Sequence, residues 1–95
     1  MDFEFDPTKD SENLAKHRLS LGQFDGFDAL PRVVADRRVE YGEARFRAFG
    51  RIGGVGHCLV YTFRGDRTRL ISFRRAHDKE MARYGQRREP GMDKG

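Results

Sequence analysis

The stretch Ala44–Arg75, ARFRAFGRIGGVGHCLVYTFRGDRTRLISFRR, decides the fold of this chain. Three segments in it, ARFRAFGRI, HCLVYTFR and TRLISFR, are rich in aromatic and branched residues and largely alternate apolar with polar side chains, as half-buried strands do. Gly53–Gly56 and Gly65–Asp66 separate the segments, and glycine reaches the backbone angles that tight hairpin turns require. The stretch therefore predicts an antiparallel meander of three strands.

Alternation assigns arginines of these strands to one side of the sheet. In TRLISFR, residues 69, 71 and 73 share one side and residues 70, 72 and 74 share the other. Ile71 and Phe73 are the stronger apolar pair, so their side is expected to meet the helices and to leave Ser72 and Arg74 facing outward. The two preceding strands can offer arginine to the same outward side, which predicts a basic sheet surface. Arg75 follows where the strand ends, and alternation no longer restricts it.

The sequence before the meander predicts an opening strand and two helices. Phe3–Phe5 alternates apolar and acidic residues and reads as a short strand. Asp6 and Pro7 suit the N-cap and the first helical position, so a helix is expected from there to about Arg18. The residues Ser20–Gln23 have capping-box spacing and predict a second, short helix.

The remaining segments complete a single α+β domain. The residues VVAD, 33–36, suggest a further strand, and a closing helix is expected over Ala76–Gln86, with Met81 and Tyr84 facing inward. Residues 1–86 are expected to form the domain and residues 87–95 a flexible tail. No stretch of about 20 apolar residues predicts a membrane span. A lone cysteine, Cys58, fits a reducing, cytoplasmic protein.

Charge is distributed unevenly along the chain. Residues 1–36 hold four Lys or Arg against eight Asp or Glu, whereas residues 37–75 hold ten basic residues, all arginine, against three acidic ones. Arginine binds phosphate bidentately and stacks on bases, so a polyanion is the first partner to expect. A solvated basic face, or arginines paired with carboxylates, would explain the charge equally well. Charge alone therefore names no function.

Five short motifs, in order, resemble those of the BrnT toxins. They are F-E-F-D-P-x-K at Phe3–Lys9, N-x-x-K-H at Asn13–His17, G-E-x-R-F at Gly42–Phe46, R-L-I-S-x-R-x-A at Arg69–Ala76 and E-x-x-x-Y at Glu80–Tyr84. BrnT toxins are similar to RelE-type ribonucleases. The resemblance implies a RelE-like α+β fold with an N-terminal strand and two helices, an antiparallel sheet and a C-terminal helix.

The resemblance also implies a biological role. It indicates the toxin of a type II toxin–antitoxin pair, an endoribonuclease that cleaves mRNA without metal and so inhibits translation and growth. The implied partner is a BrnA-like, DNA-binding antitoxin in a 2:2 heterotetramer, with operator DNA contacted only through the antitoxin.

Metal-free RNA cleavage needs a group that takes the 2′-OH proton, fixed cations for the phosphorane-like state and a proton for the leaving oxygen. No His, Cys or carboxylate spacing in the chain resembles a metal site, so we expect neither metal nor cofactor. Arg74 is the first candidate cation and Arg45 the second. The residues assigned to RNA binding are Lys16, Arg47, Arg64, Arg69, Ser72 and Arg75.

Three further catalytic candidates each have a structural alternative. His17 is an acid/base candidate beside Lys16, but a histidine near a helix C-terminus often only stabilises the helix dipole. Glu43 could be the base or could orient an arginine. Tyr84 could stack on a base, donate a proton or pack in the core. A non-catalytic nucleic-acid or partner-binding co-repressor would need the arginines but not these three residues, so their presence favours the enzyme.

Overall fold

The structure, a computed structural model, describes residues 3–38, 40 and 42–84. The last two residues of the predicted closing helix, 85 and 86, and the predicted tail, residues 87–95, lie outside the described residues. The elements are β1 (Phe3–Glu4), α1 (Pro7–His17), a 3-10 turn (Leu21–Gln23), β2 (Arg32–Ala35), β3 (Phe46–Ile52), β4 (Val55–Arg64), β5 (Arg67–Arg75) and α2 (Asp78–Tyr84).

The five strands form one sheet in the order β1-β5-β4-β3-β2. The predicted meander is confirmed, because β3 pairs antiparallel with β4 and β4 with β5, through turns at Gly53–Gly54 and Gly65–Asp66. The sheet is mixed rather than wholly antiparallel, because β1 runs parallel to β5. The α+β class is thus confirmed, whereas a RelE-like arrangement stays a prediction.

Helix α1 begins and ends at the expected residues. The carboxylate of the N-cap Asp6 accepts the Thr8 N–H at 2.8 Å, and Pro7 occupies the first turn. At the other end Arg18 adopts a left-handed conformation, with φ of 62°, and donates its N–H to the Leu14 carbonyl. The helix therefore stops at His17, which leaves that side chain at the end of α1.

The predicted second helix is only a 3-10 turn. Its capping box is present, with the Gln23 side chain accepting the Ser20 N–H at 2.7 Å. Phe24 then takes an extended conformation, and Gly26 follows with φ of 113°, a backbone incompatible with helix continuation. The predicted capping box is therefore confirmed, and the second short helix is a single 3-10 turn that ends at Gln23.

A β-bulge in β5 changes which residues share a side of the sheet. Val60 lies opposite Ser72 and the next residue, Tyr61, lies opposite Leu70, so Ile71 is the additional residue. Leu70 and Phe73 consequently enter the same core cluster, while Ile71 packs against a different one. The prediction that Ile71 and Phe73 share the helix side was wrong.

The sheet buries one cluster on each side. Leu21 and Phe24 cover the first cluster, together with Ala48, Leu59, Leu70 and Phe73 of the strands. On the opposite side Met81 of α2 packs on Phe49, Cys58 and Val60 at one end of the sheet. The strand pairing places most strand arginines on this second side, which we call the arginine face; it comprises Arg32, Arg47, Phe49, Arg51, Cys58, Val60, Thr62, Arg64, Arg67, Arg69, Ser72 and Arg74.

Asn13 joins α1 to the edge of β5. Its Nδ2 donates to the carbonyls of Phe73 and Leu19, both at 2.7 Å, and its Oδ1 accepts the Phe73 N–H at 3.0 Å. Strand β1 pairs with β5 only at Thr68 and Arg69, so the buried amide acts as a strand partner beyond the end of β1. The C-terminal half of α1 is thereby held beside Arg74.

Candidate active site

A groove follows the seam between α1 and β5. Arg74, Glu80 and His17 line one end, Lys16 and Ser72 line the middle, and Arg64, Arg69, Glu43 and Arg45 line the far end. The three parts share lining residues: His17 lines the first two, and Lys9 and Ile71 line the last two. We call these three adjoining pockets together the α1–β5 groove.

Arg74 and Glu80 form a bidentate ion pair in the groove. Nη1 and Nη2 of Arg74 each donate to one oxygen of Glu80 at 2.8 Å, and both side chains are about three-quarters buried. The carboxylate oxygen Oε1 also accepts the His77 N–H at 3.0 Å, which fastens the start of α2. The Arg74 hydrogen bonds hold the pKa of Glu80 down at about 2, and Glu80 raises the pKa of Arg74 in return.

His17 lies in the same end of the groove as Arg74. Burial, then Arg74 and Lys16, lower the pKa of its imidazole below the ordinary 6.5. A lowered pKa means that His17 is neutral at pH 7 and able to accept a proton. The C-cap hydrogen bond of α1 comes from the Arg18 N–H, and His17 stands with Lys16 in the last turn of the helix, so both the catalytic and the dipole-stabilising role of His17 stay predictions.

The middle of the groove brings Lys16 and Ser72 together. Lys16 is exposed on α1, and Ser72 is half-buried on β5, next to the bulge. Lys9 of α1, for which no role was predicted, lines this part and the far end as well. Arg75 pairs in register with His57, so it leaves the sheet on the side opposite the arginine face, although it still lines the Arg74 end of the groove.

The far end gathers four predicted residues. Glu43 accepts from Arg45 Nε at 3.4 Å and lies 3.7 Å from Arg64 Nη2. Arg69 donates to Glu4 at 2.8 Å. Glu43 therefore orients arginines of its own end and makes no ion pair with Arg74 within the described residues.

Arg47 and Tyr84 form a separate cluster at α2. The Arg47 guanidinium lies 5.1 Å from the Tyr84 ring centre and 5.6 Å from that of Phe49, on which Tyr84 stacks. Only 13% of the Arg47 side chain is exposed, and its Nε is 4.0 Å from Asp36. This Nε is buried without a hydrogen-bond partner in the described part of the chain. The position favours packing for both residues, and their roles toward RNA stay predictions.

The predicted catalytic residues therefore do not converge on one point. Cys58 of β4 lies opposite Arg74, and Thr62 lies opposite Arg69. Cys58 and Thr62 are four residues apart along β4, so the pair Cys58/Arg74 and the pair Thr62/Arg69 lie about 13 Å apart. His17 can act with Arg74, and Glu43 can act with Arg45, but the two pairs serve different positions along the groove.

Sequence reasoning missed Glu80 and Lys9. Glu80 occupies the motif E-x-x-x-Y and follows His77 by three residues, the spacing at which a glutamate returns to cap a helix start. Lys9 precedes Lys16 by seven residues, which is two helical turns and puts both on one side of α1. Those spacings could have pointed to both residues.

No three His, Cys, Asp or Glu side chains among residues 3–38, 40 and 42–84 lie close enough together to hold a metal ion. No helix in the same part of the chain is long and apolar enough to cross a membrane.

The chain is thus a small α+β domain that has a cationic groove with a neutral histidine at one end, and such a groove suits a phosphate-rich polymer. The model of one family, described as "Ribonuclease toxin, BrnT, of type II toxin-antitoxin system", matches residues 5–80, and the chain belongs to this family. It is a ribonuclease toxin of a type II system, whose partner is an antitoxin. No curated protein and no solved structure matched the chain.

Proposed function

We propose that the α1–β5 groove binds a single strand of RNA and cleaves it without metal at its Arg74 end. The observation that carries this proposal is the shared position of Arg74 and His17 in one end of the groove. A fixed cation and a neutral imidazole that line the same pocket supply two of the three functions that RNA transesterification needs.

In this mechanism His17 takes the proton of the 2′-OH as that oxygen attacks the adjacent phosphorus. Arg74 stabilises the additional negative charge on the phosphorane-like state, because its guanidinium is already held in place and costs no reorganisation. The bond to the 5′-oxygen then breaks, leaving a 2′,3′-cyclic phosphate. The groove is open, so water can protonate the leaving oxygen.

The remainder of the groove binds the neighbouring phosphates. Lys16 and Ser72 follow Arg74 along the seam, and Arg69 and Arg64 lie beyond them. Glu43 acts here as a positioning residue, since it orients Arg45 and Arg64 through its ion pairs. RNA following this line meets cationic and hydroxyl side chains that suit phosphates rather than base edges, so we expect weak sequence preference.

Metal independence is supported by how the carboxylates of the arginine face are used. Glu80, Glu43 and Glu4 each form an ion pair with one or more arginines, and so does the buried Asp36. A carboxylate held by a guanidinium is a poor ligand for Mg²⁺, which needs oxygens free to complete an octahedral shell.

The antitoxin is proposed to be BrnA-like and to bind operator DNA, with two toxins on an antitoxin dimer. Family membership supports an antitoxin. Light scattering of the co-expressed pair, with and without operator DNA, tests the 2:2 composition. A toxin that shifts operator DNA by itself would contradict contact through the antitoxin alone.

Cleavage and growth assays test the nuclease. The full chain and its Arg74→Ala, His17→Ala and Arg32→Ala variants are made cell-free and incubated with RNA in EDTA. We expect cleavage by the wild type and by Arg32→Ala, whose arginine lies in β2 at the opposite edge of the sheet. Arg74→Ala should lose about a hundredfold or more in rate, as removal of one oxyanion donor does elsewhere.

The same variants, expressed without antitoxin, should halt growth only where they cleave RNA. Intact RNA and normal growth with the wild type would contradict the nuclease. That result, together with retained RNA binding, would instead favour a non-cleaving co-repressor. Cleavage that EDTA abolishes would contradict metal independence alone.

A further inference from the structure

The chain uses only part of the hydrogen-bonding capacity of the Arg74 guanidinium. Nη1 and Nη2 donate to the two oxygens of Glu80, and Nη1 also donates to the Arg75 carbonyl at 3.2 Å. A guanidinium carries five N–H groups, so three are engaged. The Nε–H and the second N–H of Nη2 have no partner within residues 3–38, 40 and 42–84.

These two remaining N–H groups form a fork. In a planar guanidinium the Nε–H and the outer Nη2–H lie on one edge and point the same way, a geometry that matches two oxygens of one phosphate group. Glu80 occupies the other edge, between Nη1 and Nη2. The carboxylate therefore holds the guanidinium without taking the edge that a phosphate would use.

In a second bidentate ion pair of the molecule, the carboxylate occupies the other edge of the guanidinium. Arg38 donates Nε–H and Nη2–H to the two oxygens of Asp36, both at 2.7 Å, so the corresponding edge of Arg38 is already filled. Arg38 is thus committed to a carboxylate of the chain itself. Arg74 keeps that edge available in a groove that also contains His17.

Glu80 is itself fixed by the docking of α2. Its Oε1 accepts the His77 N–H at the start of the helix, and the next residue, Met81, is buried against the sheet. Gly56 permits this close approach, because a Cβ there would lie 2.5 Å from Met81 Cγ. The position of the Arg74 fork is therefore set by the helix through one carboxylate.

We propose that Glu80 is a positioning residue for RNA cleavage, which clamps one edge of the Arg74 guanidinium so that the free Nε/Nη2 edge receives the scissile phosphate. This inference rests on the proposed RNA-cleaving role of the α1–β5 groove. Glu80 touches neither RNA nor the reacting atoms and acts only through Arg74.

Single-turnover cleavage by full-length variants tests the role of the clamp. Glu80→Gln should lower the maximal rate about a hundredfold, because a misplaced reacting group loses that much, while half-saturation changes by less than about threefold. Glu80→Asp keeps the charge but is one methylene shorter, so it should also lose most of the rate. Asp78→Asn, in the same turn of α2 and outside the groove, is the matched control and should cleave normally.

A double variant separates positioning from a general loss of structure. Lysine has no fork, so Arg74→Lys should be slow, and adding Glu80→Gln to it should cost little more. A Glu80 needed only to hold α2 would slow both backgrounds equally. Thermal unfolding of every variant identifies any that fail to fold, and those are excluded from the comparison of rates.

The Arg74 Nε–H resonance provides a measurement that needs no cleavage. A 2′-O-methyl oligoribonucleotide, which lacks the attacking hydroxyl, should shift this resonance in the wild type and in Asp78→Asn, but much less in Glu80→Gln. Two results would overturn the inference while leaving the nuclease intact. One is a resonance shift as large in Glu80→Gln as in the wild type, and the other is a cleavage rate of Glu80→Gln equal to that of Asp78→Asn. Absence of wild-type cleavage with a Glu80-dependent shift would overturn the nuclease and keep the clamp; absence of both would overturn both.

Discussion

Asn13 belongs to a sequence motif, and its role is structural. The side-chain amide makes three hydrogen bonds, two of them with the backbone of Phe73, and is 5% exposed. Truncation to alanine leaves a buried N–H and buried carbonyls unpaired, at roughly 1–3 kcal/mol each. We therefore expect Asn13→Ala to lower the free energy of unfolding by about 2–4 kcal/mol.

Urea unfolding of the full chain measures that cost. Glu12→Ala, one residue earlier on the exposed side of α1, is the control and should change stability by less than about 0.5 kcal/mol. Equal costs for the two variants would show that the amide is not the joint between α1 and β5.

His17 determines the expected pH dependence of cleavage. Burial and the cations Arg74 and Lys16 lower its pKa below 6.5. A general base must be deprotonated, so kcat/KM should be constant near neutrality and fall as the pH drops through this lowered pKa. Lys16→Ala removes a positive neighbour, which should raise the pKa of His17 and move the acid limb to higher pH.

A pH–rate profile of kcat/KM from about pH 4.5 to 8.5 measures both effects. The imidazole resonance of His17 gives its pKa independently of activity. A limb that stays in place while that resonance shifts in Lys16→Ala would show that another group is the base.

Among the elements, β5 shows how far alternation predicts structure. Its limits lie within one residue of the expected ones, because aromatic and branched residues between two turns leave little choice. The bulge at Ile71 was not predictable, since one additional residue leaves the composition of a strand unchanged and only the register of β4 reveals it. Arg69 consequently lies on the arginine face, on the side opposite to the one that alternation assigned.

Helix α2 controls the site through its contact with β4. A Cβ on Gly56 would clash with Met81 Cγ at 2.5 Å and approach its Sδ at 2.9 Å. We expect Gly56→Ala to destabilise the fold by roughly 1–3 kcal/mol, the usual cost of overpacking, and to slow cleavage because the clamp residue Glu80 moves with α2. Met81→Ala removes the atoms that clash.

A double-mutant cycle in urea measures this contact. The loss in unfolding free energy of the double variant, Gly56→Ala with Met81→Ala, should be smaller by at least about 1 kcal/mol than the sum of the two single losses. Gly22→Ala, whose Cβ would meet Phe5 only at 3.4 Å, is the matched control for adding a methyl group. If the two losses in unfolding free energy are additive, the contact between Gly56 and Met81 does not determine how closely α2 packs on the sheet.

At the scale of the whole molecule, the sequence predicted the basic surface but not which carboxylates and amides pair with its residues. Glu4 pairs with Arg69 across 65 residues, and Asn13 reaches Phe73 across 60, so their contacts depend on the tertiary fold. No local pattern identifies such partners. Charge counting therefore located the groove-lining strands, and only the fold showed that His17 lies at the Arg74 end of the groove and Glu43 at the other end.

The groove as a whole predicts the salt dependence of RNA binding. Each phosphate contact releases counterions, and for single strands log K falls against log salt with a slope of about −0.7 per contact, hence about −3 for four contacts. Lys16→Ala and Arg64→Ala, in the middle and at the far end, should each reduce that slope by about 0.7. Arg32→Ala removes the same charge at the opposite edge of the sheet and should leave the slope unchanged. Titration of a 2′-O-methyl oligoribonucleotide at several salt concentrations decides the outcome, because equal slopes in all three variants would place the RNA outside the α1–β5 groove.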